Sequence, residues 1–135
     1  MKGFSFHEIT LSVERHSKRV LNLRMVLDNG LLNILTVYAP HSGKSEEEKE
    51  SFWIGVFQLV SCIPQNEMVI LAGDINGHVG CSNVGYDGTH GGFGYGDRNA
   101  DGSKILEFAD GLNLVVCNTI CEAGIPVCDI CSWSC

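Results

Sequence analysis

The sequence lacks any stretch of about 18 consecutive apolar residues, the length that is typical of a membrane-spanning helix. It also lacks an excess of basic residues, since nine Lys and Arg face 16 Asp and Glu and give a net charge of −7. This balance argues against a free-standing basic nucleic-acid binder, although it does not exclude an enzyme that meets phosphate through a bound cation. The segment from Met1 to Leu11 has no apolar core typical of a secretory signal. We therefore expect a nuclear or cytoplasmic protein that is not secreted.

The length of 135 residues fits one domain or a piece of one, and 44% apolar with 19% charged residues disfavours disorder. The charge is unevenly spread. The segment from Met1 to Met25 carries five basic and two acidic side chains, a balance of +3, so the rest of the chain carries −10. Most of the cysteines fall close to the C-terminus, from Cys117 onward, and we expect them to be reduced thiols.

Two apolar segments, Val20–Asp28 and Leu31–Ala39, predict a β-hairpin around an Asn-Gly turn, because both turn residues tolerate a positive φ. Alternation in the second strand predicts two faces. One face carries Leu32, Ile34, Thr36 and Tyr38, and the other carries Leu31, Asn33, Leu35 and Val37.

The rest of the chain alternates predicted helices and strands. Ser45–Ile63 predicts a helix, because a Ser followed three residues later by Glu is typical of a helix start. Met68–Ala72 is wholly apolar and predicts a strand buried on both faces in the middle of a sheet. A Gly-rich connection, Val79–Gly102, is long enough to be functional or poorly ordered. Ser103–Leu112 predicts a second helix and Leu114–Asn118 another buried strand, so the order favours a layered α/β fold.

Asp74 and Asn76 are the sharpest candidates for chemistry, because they follow the predicted central strand two residues apart and face the same side. An Asp there can bind a hard cation or orient a water that an Asn holds, although an Asp in this place is more often a turn former or a helix cap. Tyr38 ends the preceding strand. Its hydroxyl can donate to a phosphate oxygen, but a half-buried strand aromatic is the more common role of such a residue.

Several motifs in combination resemble a known family. Val37-Tyr38-Ala39-Pro40, a capped helix, and an apolar strand leading into Gly73-Asp74-Ile75-Asn76-Gly77-His78 are similar to the DNase I-like endonuclease/exonuclease/phosphatase superfamily. More narrowly, the chain resembles the apurinic-type endonuclease domain of RTE/BovB-type non-LTR retrotransposons and the craniofacial development protein 2-like proteins. The resemblance runs from about Val13 to Thr119, and includes Ile63–Val69, His90–Gly96 and Ile105–Ala109.

The resemblance implies an α/β (α+β) fold, part of a DNase I-like four-layer α/β–β/α sandwich, and hydrolysis of DNA phosphodiesters with Mg²⁺ or Mn²⁺. Asp74 would be the general base or water orienter, and Asn76 would hold the nucleophile, the metal shell or the substrate. Both would be metal ligands, while Tyr38 would contact phosphate. His78 would contribute to substrate binding, and no catalytic role is assigned to it.

The family's main metal-binding Glu and its downstream Ser-Asp-His segment have no counterpart in this sequence. We therefore expect residues 1–119 to be a partial endonuclease domain and 120–135 an unrelated Cys-rich tail. The leading hypothesis is a truncated, retrotransposon-derived, Mg-dependent endonuclease domain that is weak or inactive. The alternatives are a non-catalytic domesticated remnant acting as an interaction module, a degraded coding fragment, and a phosphomonoesterase or phosphoinositide phosphatase of the same fold. Because strands are missing, we also expect self-association through an uncovered sheet face.

Two other metal signals are weak. The segment Asp97–Gly102 looks like the start of a calcium-binding EF-hand loop, but Phe108 occupies the position of the required bidentate acid. Cys128 and Cys131 form one Cys-x-x-Cys pair without a second pair, so they match no common zinc template.

Overall fold

The computed structural model describes residues 11–120 and the short strand Ile130–Cys131. The elements are β1 (Leu11–Arg15), β2 (Val20–Leu27), β3 (Gly30–Tyr38), α1 (Glu46–Ser61), β4 (Met68–Asp74), α2 (Ala100–Gly111), a 3-10 turn (Cys117–Thr119) and β5 (Ile130–Cys131). The strands form one sheet in the order β1-β2-β3-β4-β5. All neighbours are antiparallel except β3 and β4, which are parallel. The predicted α/β class is confirmed.

The β2–β3 hairpin forms where the sequence predicts it. Leu27 pairs with Gly30, so Asp28 and Asn29 form a two-residue turn. Gly30 has φ +136°, a conformation that L-residues rarely adopt. Strand β1, which sequence analysis missed, pairs with β2 at the edge of the sheet, and all five of its residues are exposed.

Helix α1 provides the crossover that the parallel pair β3–β4 needs. It begins as predicted, because the Ser45 side chain accepts a hydrogen bond from the Glu48 backbone N–H at 3.2 Å. Its buried residues Phe52, Val56 and Val60 belong to the core. Helix α2 begins at Ala100, three residues before the predicted start, because Asn99 caps it.

The sheet has one covered face and one open face. The covered face is the side of β3 and β4 that packs against α1 and α2 in the core, and it carries Leu35, Val37, Val69 and Leu71. The open face is the other side of the sheet, where apolar residues are half-buried or exposed. It carries Leu11, Val13, Leu21, Leu23, Met25, Leu32, Ile34, Met68 and Ile70.

The prediction that Met68–Ala72 is buried on both faces is wrong. Val69 and Leu71 are buried, whereas Met68, Ile70 and Ala72 are only half-buried. The central position of the strand is confirmed, because β4 pairs with β3 on one side and with β5 on the other. The strand is apolar on both faces, but only one face is covered, because α1 and α2 both pack against the same side of the sheet.

The prediction of a strand at Leu114–Asn118 beside the central strand is also wrong. Leu114 and Val116 are buried, but Val116 donates to Thr89 O at 2.9 Å and forms only an isolated parallel bridge with His90. A 3-10 turn follows directly. An apolar run indicates burial without fixing the backbone partner, and here that partner is the long loop. Strand β5 takes the place beside β4, and its residues lie in the segment predicted to be an unrelated tail, most of which lies outside the described residues.

An ion-pair network joins the two helices. The Lys49 ammonium, with 7% of its side chain exposed, lies 3.2 Å from both Glu46 and Asp101, and Lys104 also pairs with Glu46. Burial alone would lower the pKa of Lys49, but its hydrogen bonds to Asp101 and Glu46 outweigh burial and raise it. Hydrogen bonds from Lys104 and Lys49 lower the pKa of Glu46. No helix among the described residues is long and apolar enough to cross a membrane.

Candidate functional site

The candidate site lies where β3 and β4 end side by side. Tyr38 and Asp74 are partners in the parallel register, and Ala39 N donates to Asp74 O at 2.9 Å just beyond them. Gly73, one residue earlier, has φ +141°, and a Cβ there would lie 1.9 Å from Val37 O. Only glycine therefore allows the two strands to approach so closely directly before the Asp.

Asp74 and Asn76 form a hydrogen-bonded unit across the two strand ends. The Asn76 backbone N–H donates to Asp74 Oδ1 at 3.0 Å, and the Asn76 side-chain amide donates to Ala39 O at 2.7 Å. Asn76 adopts φ +51°, which Asn tolerates better than most residues. The two side chains that the sequence pairs are thus brought together, and Ile75 between them is buried in the core.

A cavity of about 330 Å³ opens at this unit. Asp74, Asn76 and His78 line it, as the sequence predicts for one site, and polar residues that sequence analysis missed line it as well. These are His41, Ser42, Asn99 and Asn118. His41 stands directly after the Tyr-Ala-Pro motif, so its place next to a strand end is the signal that could have identified it.

Asn99 holds the loop that carries His78. Its side-chain oxygen accepts from His78 N at 3.1 Å and from Gly102 N at 2.7 Å, and its backbone N–H donates to His78 O at 3.0 Å. A Cβ on Gly102 would lie 1.8 Å from His78 O, so the helix start and the loop are in close contact. One Asn therefore caps α2 and positions a wall of the cavity.

The long loop is ordered around a buried histidine. His90 is 1% exposed, and its Nε2 lies 2.9 Å from Gly80 O. Gly92 N donates to its Nδ1 at 3.0 Å, so Nδ1 accepts and Nε2 donates. Together with the bridge from His90 to Val116, these bonds fix the loop next to the cavity.

Tyr38 does not line the cavity at Asp74. The residue is 55% exposed, and the Arg19 guanidinium carbon lies 5.5 Å from the ring centroid. Arg19 also donates to Tyr38 O at 3.2 Å and pairs with Glu48 at 2.8 Å. Tyr38 instead lines a second cavity of about 360 Å³. The two neighbouring strand ends therefore carry two adjacent concave surfaces.

The residues present do not fit a resident metal ion. Among residues 11–120, no group of three or more His, Cys, Asp or Glu side chains could hold one. Asp74 is the only carboxylate among the described residues that line the cavity, and one of its oxygens already accepts from Asn76 N. One carboxylate and one amide oxygen supply too few of the six oxygens that Mg²⁺ takes.

No family profile matches the chain. It is similar to craniofacial development protein 2 of Bos taurus, with 32% identity over 89 residues that cover 66% of this chain and 15% of that protein. It is also similar to craniofacial development protein 2 of Tragulus javanicus, with 28% identity over 102 residues that cover 76% of this chain and 17% of that protein. The chain therefore spans less than a fifth of the length of these curated relatives. These matches confirm the similarity to craniofacial development protein 2.

Proposed function

We propose that this chain is the central part of a retrotransposon-derived endonuclease domain of the RTE/BovB type, and that by itself it binds a DNA phosphodiester and cleaves it weakly or not at all. The observation that carries the proposal is the hydrogen-bonded unit of Asp74 and Asn76 at the ends of β3 and β4. This unit fixes a carboxylate and a carboxamide at a cavity whose other polar lining residues are neutral or histidine.

The hydrogen bonds decide which atoms are free for chemistry. Asn76 uses its amide nitrogen on Ala39 O, which leaves its Oδ1 for a water or a cation. Asp74 Oδ1 accepts a hydrogen bond from Asn76 N, which leaves Oδ2 as the second acceptor. Two acceptors held by neighbouring strand ends can orient one water molecule for attack on phosphorus, which is the role proposed for this pair.

The proposal of weak or absent cleavage rests on what is missing around this pair. The sequence offers no Ser-Asp-His segment, and the described residues offer no second carboxylate at the cavity. A positioned base or a charge stabiliser each contributes about 10²–10⁴-fold to a rate. We propose that Mg²⁺ or Mn²⁺ joins this site only together with substrate phosphate oxygens, because the oxygens of the described site are too few.

The experiment separates binding at the site from cleavage. Supercoiled plasmid is incubated with the chain in Mg²⁺ and in chelator, and we expect no nicking above background in either. A short DNA duplex is then titrated with the ¹⁵N-labelled chain and Mn²⁺, and we expect paramagnetic broadening of the Asn76 and His78 amide signals that requires DNA.

Asp74→Ala should abolish this broadening, whereas Glu107→Gln, an exposed acid on α2, should leave it intact. Absence of broadening in the unsubstituted chain would contradict the proposed site. Mg²⁺-dependent nicking that disappears with Asp74→Ala would instead show that the chain is a competent enzyme.

A second candidate, a non-catalytic interaction module, is favoured by the open face of the sheet. Several apolar side chains from β1 to β4 lie on that face, and among the described residues no helix covers them. We propose that two copies of the chain associate through this face. Sedimentation at rising protein concentration tests it, and a monomer at all concentrations would contradict it.

A further inference from the structure

The cavity next to Tyr38 is lined by cations and, among the described residues, by no acid. Its polar lining residues are Arg15, Ser17, Lys18, Arg19, Thr36 and Tyr38. The three positive charges stand out in a chain whose net charge is −7. They are three of the five basic side chains between Met1 and Met25, so the local charge excess has a defined place in the fold.

The turn that carries these cations is held in one conformation. His16 N and Ser17 N both donate to Val20 O, at 3.0 and 3.2 Å, and Ser17 Oγ accepts from Arg19 N at 3.1 Å. Arg15 Nε donates to Ser17 O at 3.2 Å. A cationic surface on a preformed turn binds an anion without the entropy loss of first ordering the loop.

Two of the cations have no acidic partner. Arg19 is neutralised by Glu48, but neither Arg15 nor Lys18 forms an ion pair with any part of the chain that the structure describes. The nearest other acid in sequence, Glu14, lies 3.7 Å from His16. The turn therefore offers two unpaired charges to an external ligand.

The register places this cavity at the same end of the sheet as Asp74. Arg15 pairs with Leu21 and Leu21 with Thr36. Thr36 pairs in turn with Ala72, two residues before Asp74. Tyr38 lines the cationic cavity and is also the strand partner of Asp74. Neighbouring strands lie about 4.8 Å apart, so Tyr38 is one strand spacing from Asp74, and Arg15 on β1 is three spacings, about 14 Å, from β4; a chain of several phosphates can contact both surfaces.

We infer that the cavity formed by Arg15, Lys18, Arg19 and Tyr38 is a second phosphate-binding subsite, which holds the DNA backbone next to the phosphate at Asp74. This inference rests on the proposed function. Arg15 and Lys18 contact backbone phosphates, and the exposed Tyr38 ring offers a surface for stacking of a sugar or base. Contacts of this kind position the nucleic acid without reading its sequence.

The test measures the binding of a short fluorescein-labelled DNA duplex, and of one of its strands alone, by anisotropy in chelator. Loss of two phosphate contacts should lower the slope of log K against log salt by about 2. We therefore expect Arg15→Gln with Lys18→Gln to weaken binding about tenfold at low salt relative to the unsubstituted chain, and the difference should shrink as salt rises. Arg19 is left unchanged, because it also holds Glu48 and the Tyr38 carbonyl.

Lys104→Gln is the matched control, since it removes a positive charge from α2, outside both cavities. It should change binding little, and circular dichroism should show that all variants keep their fold. Equal affinity of the double variant and the control would overturn the inference, and so would binding of anionic lipid vesicles but not of DNA. If the unsubstituted chain binds the duplex in the anisotropy assay but shows no DNA-dependent Mn²⁺ broadening at Asn76 and His78, the result would contradict the proposed function and leave this inference standing.

Discussion

The two faces of the sheet differ in burial, although residues adjacent in the sequence alternate between them. In β3, Leu35 is 1% exposed beneath the helices, whereas Ile34 next to it is half-buried on the open face. In β4, Leu71 and Ile70 differ in the same way. Strands that are apolar on both sides are typical of sheets covered on both faces. The difference shows that the sequence is suited to a second cover that residues 11–120 do not supply.

The largest expected difference comes from shortening one side chain on each face. Leu35→Ala should lower the free energy of unfolding by about 3–5 kcal/mol, because it leaves a cavity between sheet and helices. Ile34→Ala should cost clearly less, because solvent or a partner can refill the space. Urea unfolding at matched protein concentration measures both. Equal costs would mean that the two faces are equally buried.

The covered face also contains a polar cluster whose loss should be the next largest effect. Glu67, 7% exposed by side chain, accepts from Arg24 at 2.7 Å and from Asn33 at 2.8 Å. Glu67→Ala should destabilise the fold by about 1–3 kcal/mol, because it leaves the buried Asn33 amide poorly satisfied. Glu67→Gln should restore part of that loss, and thermal unfolding compares the two. A Gln variant as unstable as the Ala variant would argue against the role of the hydrogen bonds.

On the open face we expect a substitution to alter association rather than folding. Ile34→Ser should weaken the proposed self-association about tenfold, which corresponds to about 1.4 kcal/mol. Analytical ultracentrifugation measures this effect, and circular dichroism should remain unchanged. Ile54→Ser, at a 50% exposed position on α1, is the control. If both variants associate like the unsubstituted chain, the open face is not the interface.

The smallest expected effect is on the pH dependence of folding stability, through the ion pairs between helices α1 and α2. The Glu46 pKa is lowered by its hydrogen bonds to Lys104 and Lys49. Its contribution to stability is therefore present above the unfolded-state pKa of about 4.3, and is lost as pH falls through the lower folded-state value. The urea midpoint should fall more steeply below about pH 4.5 in the unsubstituted chain than in Glu46→Gln. Parallel pH profiles would contradict this role of Glu46.

The sequence predicts those parts of the fold that depend on local chemistry. The β2–β3 hairpin and the Ser45 cap are each set by a few adjacent residues, and both are confirmed, although the turn residues of the hairpin are Asp28 and Asn29 and Gly30 already belongs to β3. At Leu114–Asn118 the sequence predicts the wrong structure, because an apolar run records burial but not the hydrogen-bond partner. Strand β1 escapes prediction because it is only five residues long and its apolar alternation ends after Leu11 and Val13, where Arg15 takes the next position on the same face.

The candidate site is predictable in part for the same reason. Asp74 and Asn76 are two residues apart, so their proximity follows from a short turn. The separation of Tyr38 from their cavity does not follow from the motif. The Tyr38 ring instead lies beneath Arg19, which is 19 residues away in sequence. The role of Asn99 is likewise not predictable from the sequence, because its contact with His78 joins residues at opposite ends of the long loop.

The connections within the sheet also imply an order of folding. The hairpin β2–β3 closes a two-residue turn, whereas the parallel pair β3–β4 must close the whole connection 39–67, which includes α1. By loop length alone the second closure costs about 2 kcal/mol more entropy than the first. We expect the hairpin to form early and β4 to dock later, once α1 has shortened the distance. During that interval the second edge of β3 has unpaired backbone groups beside an apolar surface. A slowly synthesised or slowly folding chain is therefore most exposed to mispairing with another chain at that edge.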